Sequence, residues 1–488
     1  MASTHNFNQK IAAAVLGGAL LTVTFAGAAN AAPVGGIEDN PVSLTIHKSE
    51  SQAAGSNTTP QPGGVAENID AAPIQGVEFT VRQVTAYNGQ AIDLTNSSGW
   101  AIVEQLKAQT LPLTGNVTYG TAYTSNTDAQ GRAVFNNLDM GVYIAEETGN
   151  AGDSEIVSEA KPFLLTLPSL TGEAGDSDRT WNYDVNAYPK NSVTEITKTL
   201  DETGAYGLGD RVTWTVEADV PRAVPGDSVT GFRITDTLDE RLEFVSGDVY
   251  AVGNDGSQIT LADTDYTLTT SGATVTLNLT ADGLARINGA EFNQGTTRAK
   301  IGVDLLTEVT ALGDGFIENS AELLVNTPDN SKTIESDPVV SEWGGLVVLK
   351  HSGTDEAAVL EGAEFQIFSS EADALAKTNA IDINGVSTFT TEADGEAELA
   401  GLLAGNYWLV ETKAPTGYIG QDAPIAVTVT PGAMTAAATQ AVSNSPIDTP
   451  VLPPLGATGM VTLFALGGAA VVGGGVLAMR SRVTKAAK

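Results

Sequence analysis

The chain has 488 residues, with 59 acidic and 24 basic side chains, a formal net charge of −35 and no cysteine. This charge argues against a nucleic-acid partner, because phosphate backbones require a basic surface. It favours a soluble, self-repelling surface protein. Without cysteine the chain has neither disulfide bonds nor a thiol nucleophile, so any covalent reinforcement must use other side chains.

Catalytic signatures are missing from the sequence. It contains no nucleophile-elbow, zinc-protease, phosphate-loop or EF-hand pattern, which argues against an enzyme that acts on other molecules. The acidic turn at Asp263 lacks the spaced ligands of a calcium loop, so we expect it to be solvated. We predict no metal and no cofactor.

Residues 1–31 are predicted to form a signal peptide. Lys10 precedes an apolar stretch from Ile11 to Phe25, and the small residues Ala29 to Ala31 form a cleavage site. We therefore expect an exported mature chain that begins after Ala31.

The mature body predicts an all-β protein of tandem Ig-like β-sandwich domains in an elongated chain. Short runs rich in Val, Ile, Thr and Phe alternate with Gly, Asn, Asp and Pro turns. GVEFTVRQV from Gly76 corresponds to GAEFQIFSS from Gly362, and GVYIAEET from Gly141 corresponds to GNYWLVET from Gly405. The first and last domains should therefore share a fold, with an insertion at 87–123 in the first.

Turn-forming residues suggest the domain boundaries, after Asn191 and at Trp343. The predicted domains are a β-sandwich over 32–191, a middle Ig-like domain over 192–343 and a C-terminal domain over 344–448.

In the later two domains, several polar side chains share a face with apolar neighbours, because strand side chains alternate with period two. The predicted inward set is Lys198, Asp236 and Asn319 in the middle domain, and Lys350, Glu411 and Asn444 in the last. One interpretation is a buried salt bridge capped by an amide in each domain. The other is an intramolecular isopeptide bond, in which a neutral Lys amine attacks the Asn side chain beside a protonated acid.

The first domain is predicted to lack such a bond. It has an inward Lys48, and its Glu147 corresponds to Glu411. Its last strand, however, presents inward the alternate side chains from Tyr183 to Ala187, none of which is an asparagine, while Asn186 points the other way.

The C-terminal residues 449–488 are predicted to form a wall-sorting signal. The pentapeptide is Leu452, Pro453, Pro454, Leu455 and Gly456. An apolar run at 461–479 is long enough to span a membrane, and the basic tail after it should stay cytoplasmic. A simple anchor helix would not explain the Pro-rich pentapeptide in front of the span. The LPLTG at 111–115 has no such span after it, so we expect a loop there.

Three motifs give the chain a family resemblance. YWLVETKAPTGY from Tyr407 resembles the E-box of Gram-positive pilins, and WNYDVNAYPKN from Trp181 resembles their pilin motif. LPPLG resembles the L-P-x-T-G sorting signal, with Leu455 where the pattern has Thr. The chain thus resembles the sortase-assembled backbone pilins of actinobacteria, whose Ig-like modules are related to collagen-adhesin B domains.

The resemblance implies a function and partners. Lys190 would be the acceptor whose amine attacks the acyl-enzyme that a class C sortase forms on Leu455 of another copy. The product would be a covalent head-to-tail fimbria with accessory pilins, joined to cell-wall peptidoglycan by a housekeeping sortase and supporting adhesion. The resemblance also implies internal bonds from Lys198 to Asn319, assisted by Asp236, and from Lys350 to Asn444, assisted by Glu411. The only catalysis would be this autocatalytic cross-linking.

Two alternatives remain open from the sequence. An individually wall-anchored adhesin would need the sorting signal but not Lys190, and a minor pilin would sit at the tip or base of a fimbria.

Overall fold

The computed structural model describes residues 34–448, except 52–62, 68–70, 153, 173–174, 223, 225–226 and 294–296. The predicted signal peptide and the sorting signal lie outside these residues. No helix within the described residues is long and apolar enough to cross a membrane.

Strands make up most of the ordered structure, which confirms the all-β prediction. The first strands are β1 (Val42–His47), β2 (Ser49–Glu50), β3 (Val77–Tyr87), β4 (Gln90–Ala91), β5 (Val117–Asn126), β6 (Arg132–Leu138), β7 (Gly141–Asn150), β8 (Glu155–Ser158), β9 (Phe163–Leu167), β10 (Ser169–Leu170), β11 (Trp181–Asn182), β12 (Asp184–Ala187) and β13 (Lys190–Thr194). The next are β14 (Ile196–Asp201), β15 (Arg211–Asp219), β16 (Gly231–Thr237), β17 (Leu242–Val252), β18 (Gln258–Ile259), β19 (Tyr266–Ser271), β20 (Thr274–Leu279), β21 (Lys300–Val309), β22 (Phe316–Asn319), β23 (Ala321–Asn326) and β24 (Ser331–Glu335). The last are β25 (Val339–Ser352), β26 (Asp355–Val359), β27 (Glu364–Phe368), β28 (Phe389–Thr390), β29 (Glu396–Leu403), β30 (Gly405–Lys413), β31 (Tyr418–Ile419), β32 (Ile425–Val429) and β33 (Ala438–Pro446). The helices are α1 (Ser97–Lys107), α2 (Ala281–Ile287) and α3 (Glu371–Ala376), with a 3-10 turn at Met434–Ala436.

The described residues form two compact units. The first takes in residues up to Ala205 together with Gly209–Ala311 and Phe316–Ser341. The second takes in Tyr206–Leu208, Leu312–Gly315 and the described residues from Glu342 onward.

In the N-terminal region of the first unit, strands from the beginning of the region pair in parallel with strands from its end. This pairing positions the candidate site of the region. β12 and β6 flank β1, with β12 parallel to β1, and β13 runs parallel to β2. A second sheet has the order β4-β3-β7-β9, with β5 also paired to β3. Leu44, Phe79 and Tyr143 are buried in the core of this region.

The rest of the first unit contains two five-stranded sheets, with the orders β14-β15-β21-β17-β18 and β19-β20-β16-β23-β24. Alternation of buried and exposed side chains along β15 and β16 gives each sheet one apolar face. Trp214 and Phe232 are buried on these strands.

The second unit repeats the parallel arrangement, because β25 pairs in parallel with β33 and antiparallel with β29. The predicted repeat is visible in its strand register. Phe79 lies opposite Glu147 in the β3–β7 pair, and Phe365 lies opposite Glu411 in the β27–β30 pair. Corresponding sequences therefore take corresponding places in the two sheets.

The predicted insertion at 87–123 contains α1, which the strand pattern did not anticipate. Asn96 caps the helix by accepting a hydrogen bond from the Gly99 amide, and Ile102, Val103 and Leu106 are buried. The LPLTG segment that follows α1 lies outside helices and strands, as predicted.

Candidate cross-linking sites and acceptor lysine

The site in the second unit joins its first and last paired strands. Lys350 on β25 is fully buried, and its Nζ donates to Asn444 Oδ1 on β33 at 2.6 Å. Asn444 Nδ2 donates to Glu411 Oε1 at 2.7 Å, and Lys350 Nζ lies 3.4 Å from the same oxygen. The Gln421 amide holds the other carboxylate oxygen at 2.7 Å. The structure thus brings together the three residues that strand parity placed inward.

The middle site also combines a lysine, an acid and an asparagine, but its acid is an aspartate and its local geometry differs. Lys198 on β14 forms a buried ion pair with Asp236 on β16, and its Nζ also donates to the Ser320 carbonyl at 3.2 Å. Asn319 at the end of β22 is 2% exposed, and neither of its amide atoms has a hydrogen-bond partner among the described residues. It lies close enough to Asp236 to influence the carboxyl's pKa.

A third site lies in the first domain, where the sequence predicted none. Lys48, just after β1, is 1% exposed and forms an ion pair of 2.8 Å with Glu147 on β7. Asn191 on β13 is fully buried, accepts from Lys48 Nζ, and donates through Nδ2 to Glu147 Oε1 at 2.6 Å. The Ala160 amide also donates to Asn191 Oδ1, at 2.7 Å. This triad has the connectivity of the one formed by Lys350, Glu411 and Asn444.

Sequence reasoning missed Asn191 because it followed the alternation only as far as Ala187, where β12 ends. Continued across the two residues before β13, the same alternation reaches Asn191, which is buried. Asn186 does point away from the core, as expected, and contacts His47.

Burial shifts the pKa values of the three lysines and of Asp236 in the direction that favours their neutral forms. Desolvation lowers the pKa of Lys48 to about 8, against the attraction of Glu147, and it also lowers the pKa values of Lys198 and Lys350. Desolvation raises the pKa of Asp236, opposed by Lys198. A proton transfer within each pair would give a neutral amine and a protonated acid.

Amide-bond formation in such a triad would follow one course. The Lys Nζ would attack the Asn Cγ, the Cγ–Nδ2 bond would break, and the nitrogen would leave as ammonia with a proton relayed by the carboxyl. In the Glu147 and Glu411 triads, the leaving Nδ2 already donates to the carboxyl that would protonate it. Each product would be one amide bond and one ammonia.

Lys190, the predicted acceptor, lies on the strand that carries Asn191. Because consecutive strand residues face opposite ways, the inward Asn191 sends Lys190 to the other face, where it is half-buried. Partial burial lowers the pKa of Lys190, which favours the neutral amine that a nucleophile requires. The Leu452–Gly456 pentapeptide lies outside the described residues.

We predict that an Asn191→Ala chain, which keeps Lys48 unreacted beside Glu147 and Glu159, gains stability as the pH rises. Its Lys48 has a pKa of about 8 when folded and 10.5 when unfolded, so between these values the unfolded state binds more protons. Urea midpoints followed by Trp100 and Trp181 fluorescence should therefore rise from about pH 8 to about pH 10. A Lys48→Met/Asn191→Ala chain shows how the urea midpoint depends on pH without this lysine. The same dependence of the midpoint on pH in both chains would contradict the lowered pKa assigned to Lys48.

Three protein-family models match successive parts of the chain. Residues 39–192 match the model for the Gram-positive pilin subunit D1, N-terminal domain, residues 194–336 match the Sgo0707 N2 domain, and residues 345–442 match a prealbumin-like fold domain. The full-length major pilin SpaD from Corynebacterium diphtheriae has a similar structure, with a TM-score of 0.63 and 26% identity over 84% of this chain and 98% of that one.

Two fimbrial subunits are similar over nearly the whole chain. Fimbrial subunit type 2 of Actinomyces naeslundii is 35% identical, covering 91% of this chain and 90% of the relative. Fimbrial subunit type 1 of Actinomyces viscosus is 30% identical, covering 96% of each. The chain therefore belongs to the family of Gram-positive fimbrial pilins that includes these Actinomyces subunits.

Proposed function

We propose that the chain is the shaft subunit of a covalent surface fimbria, polymerised by a class C sortase that joins Leu455 of one copy to Lys190 of the next. The observation that carries the proposal is the position of Lys190. It lies on β13, where it pairs with Ser49, and it directly precedes Asn191, which contacts the buried Lys48 and Glu147. A lysine on a paired strand is held at a fixed place on a folded region, where another subunit can be joined to it.

Internal bonds in all three domains complete the proposal. They run from Lys48 to Asn191, from Lys198 to Asn319 and from Lys350 to Asn444, assisted by Glu147, Asp236 and Glu411 respectively. The domains themselves are proposed to divide at 191/192 and 343/344. The chain is a structural subunit whose own chemistry is limited to these single-turnover reactions.

Mechanical consequences follow from where the bonds lie. Tension would enter a subunit at Lys190 and leave at Leu455, so residues before Lys190 lie off the covalent load path. Along that path, two internal bonds would carry the tension past most of a domain. They are the bond from Lys198 to Asn319 and the bond from Lys350 to Asn444. A domain bypassed in this way cannot be unzipped by pulling on its ends.

Assembly would involve further partners. The sortase thiolate would attack the Leu455 carbonyl, release Gly456, and pass the acyl group to the Lys190 amine. We propose that accessory pilins share the fibre and that a housekeeping sortase joins its base to peptidoglycan. The chain would be held briefly in the membrane by the 461–479 span before this cleavage.

Detergent-boiled wall extracts separate this function from that of an individually anchored adhesin. A shaft subunit should give a ladder of high-mass species on an immunoblot, since amide bonds survive boiling. A single band of monomer mass in extracts from the native host would favour the adhesin.

A further inference from the structure

An apolar groove in the first domain has no role in the chemistry described above. It measures about 640 Å³ and lies between α1 and the β9–β11 segment. Trp100 and Trp181, whose ring centroids are 5.7 Å apart, line it together with Val103 and Leu164. A groove of this volume is typical of a binding site.

Two cations also line the groove. Lys107 is paired with Glu104 at 2.9 Å. Among the described residues Arg179 makes no ion pair, and its Nε donates only to the Thr171 carbonyl. Glu104 also lines the groove, so the lining carries one net positive charge, at Arg179. In a chain with a net charge of −35, this cation favours an acidic group on the partner.

The groove lies toward the end of the domain where its parallel strands begin. β1 and β12 run in the same direction, with Trp181 just before β12, and Lys190 follows their far end. Lys190 is nine positions after Trp181 in the chain, a span of at most roughly 30 Å.

The end of the second unit carries a complementary surface. Ile419 and Ile447 are 60% and 51% exposed, among the most exposed large apolar side chains of the described residues. They are neighbours, because Ile419 pairs with Ser445 and the Ile447 amide donates to the Gly417 carbonyl. The exposed acids Asp422 and Asp448 are close to them in the chain.

The length of the tail makes an intermolecular contact possible. Seven residues lead from Asp448 to Leu455, which reach at most roughly 25 Å. If Leu455 is bonded to Lys190 of another copy, the end of the second unit must lie within about this distance of that lysine. Trp181, in the groove of the acceptor copy, is at most roughly 30 Å from the same lysine.

We propose that Ile419 and Ile447 of one copy dock into the groove formed by Trp100, Trp181, Val103 and Leu164 of the next copy. The inference rests on the proposed polymerisation. The two surfaces differ, so the contact is head-to-tail and repeats along the fibre. Arg179 binds the acidic rim that Asp422 and Asp448 provide. Docking at the groove would leave the tail of one copy to run along the domain toward the acceptor lysine of the next.

Engineered disulfides test the contact, because the chain has no cysteine of its own. Fibres are assembled from a Glu104→Cys/Ile447→Cys chain, oxidised gently, and digested for mass spectrometry. We expect disulfide-linked peptides between neighbouring subunits in most copies. A Thr118→Cys/Ile447→Cys chain, whose first cysteine lies on exposed β5, is the matched control and should give only background linkage.

Other outcomes separate the two proposals. Covalent fibres with no Glu104→Cys to Ile447→Cys disulfide would overturn the docking while leaving polymerisation intact. Linkage of Glu104→Cys to Val451→Cys but not to Ile447→Cys would put the tail in the groove and also overturn it. If the cysteine-free parent forms no ladder, the proposed polymerisation fails and the docking falls with it.

Discussion

A Glu411→Gln chain should keep the amine and amide of its last domain unreacted and lose much of that domain's stability. Glu411 is the group that receives the leaving Nδ2 hydrogen bond, at 2.7 Å, and a glutamine cannot relay the proton. The intact mass should therefore exceed that of the parent, after correction for the substitution, by one ammonia. The parent itself should be three ammonia molecules lighter than its sequence.

The stability change follows from the loop that the bond closes. Lys350 and Asn444 are 94 residues apart, and a cross-link over such a loop removes about 5 kcal/mol of unfolded-state entropy in the chain-entropy model. For a domain of this size, that corresponds to a fall in Tm on the order of 20 °C. Calorimetry of the ectodomain should resolve the shift.

A matched control lies on the adjacent strand. Glu364 pairs with Lys413 at the surface, with side chains 31% and 63% exposed, and surface pairs contribute less than about 1 kcal/mol. Glu364→Gln should leave both mass and Tm nearly unchanged. Asn444→Ala provides a second way to block the bond. A Glu411→Gln chain that still loses the third ammonia would refute the role assigned to this carboxyl.

Replacing Lys190 with alanine should convert the high-mass ladder to monomer. The acyl transfer requires the Lys190 amine, which alanine lacks, so we expect the ladder to be lost completely. The internal triads contain no Lys190 atom, so the variant should fold and lose its three ammonia molecules as the parent does. Intact mass of the secreted variant checks this before any immunoblot is interpreted.

Lys161→Ala is the control for that experiment. Lys161 is a nearby first-domain lysine whose side chain is 65% exposed, with only a 3.4 Å ion pair to Asp329. Its loss should leave the ladder intact. A persistent ladder in the Lys190→Ala chain, with the same spacing and yield, would mean that another amine serves as the acceptor.

Strand alternation was sufficient to identify two of the three candidate sites. Lys350 and Asn444 each lie on a regular strand with apolar neighbours on the same face. In the structure, Lys350 Nζ lies 2.6 Å from Asn444 Oδ1. Period-two reasoning works where a strand is continuous, since every second side chain then faces the core.

Asn191 has the same strand parity as Val185 and Ala187, so the alternation pointed to it, but the pattern was followed only as far as Ala187. The pairing of β13 with β2, which brings Asn191 to the strand end beside Lys48, joins residues more than a hundred positions apart and is not encoded in a local pattern. The helix α1 was not predicted, because it lies in an insertion that interrupts the strand pattern and packs against strands distant in sequence. Its apolar spacing at Ile102, Val103 and Leu106 was nevertheless visible.

Mass spectrometry of the subunit junction tests the central claim most directly. Fibres purified from wall extracts are digested, and branched peptides are sequenced by fragmentation. The account predicts a peptide in which the carbonyl of Leu455 is bonded to the side-chain amine of Lys190, with Gly456 absent. Fibres joined through any other lysine, or an ectodomain found only on peptidoglycan as single copies, would contradict it.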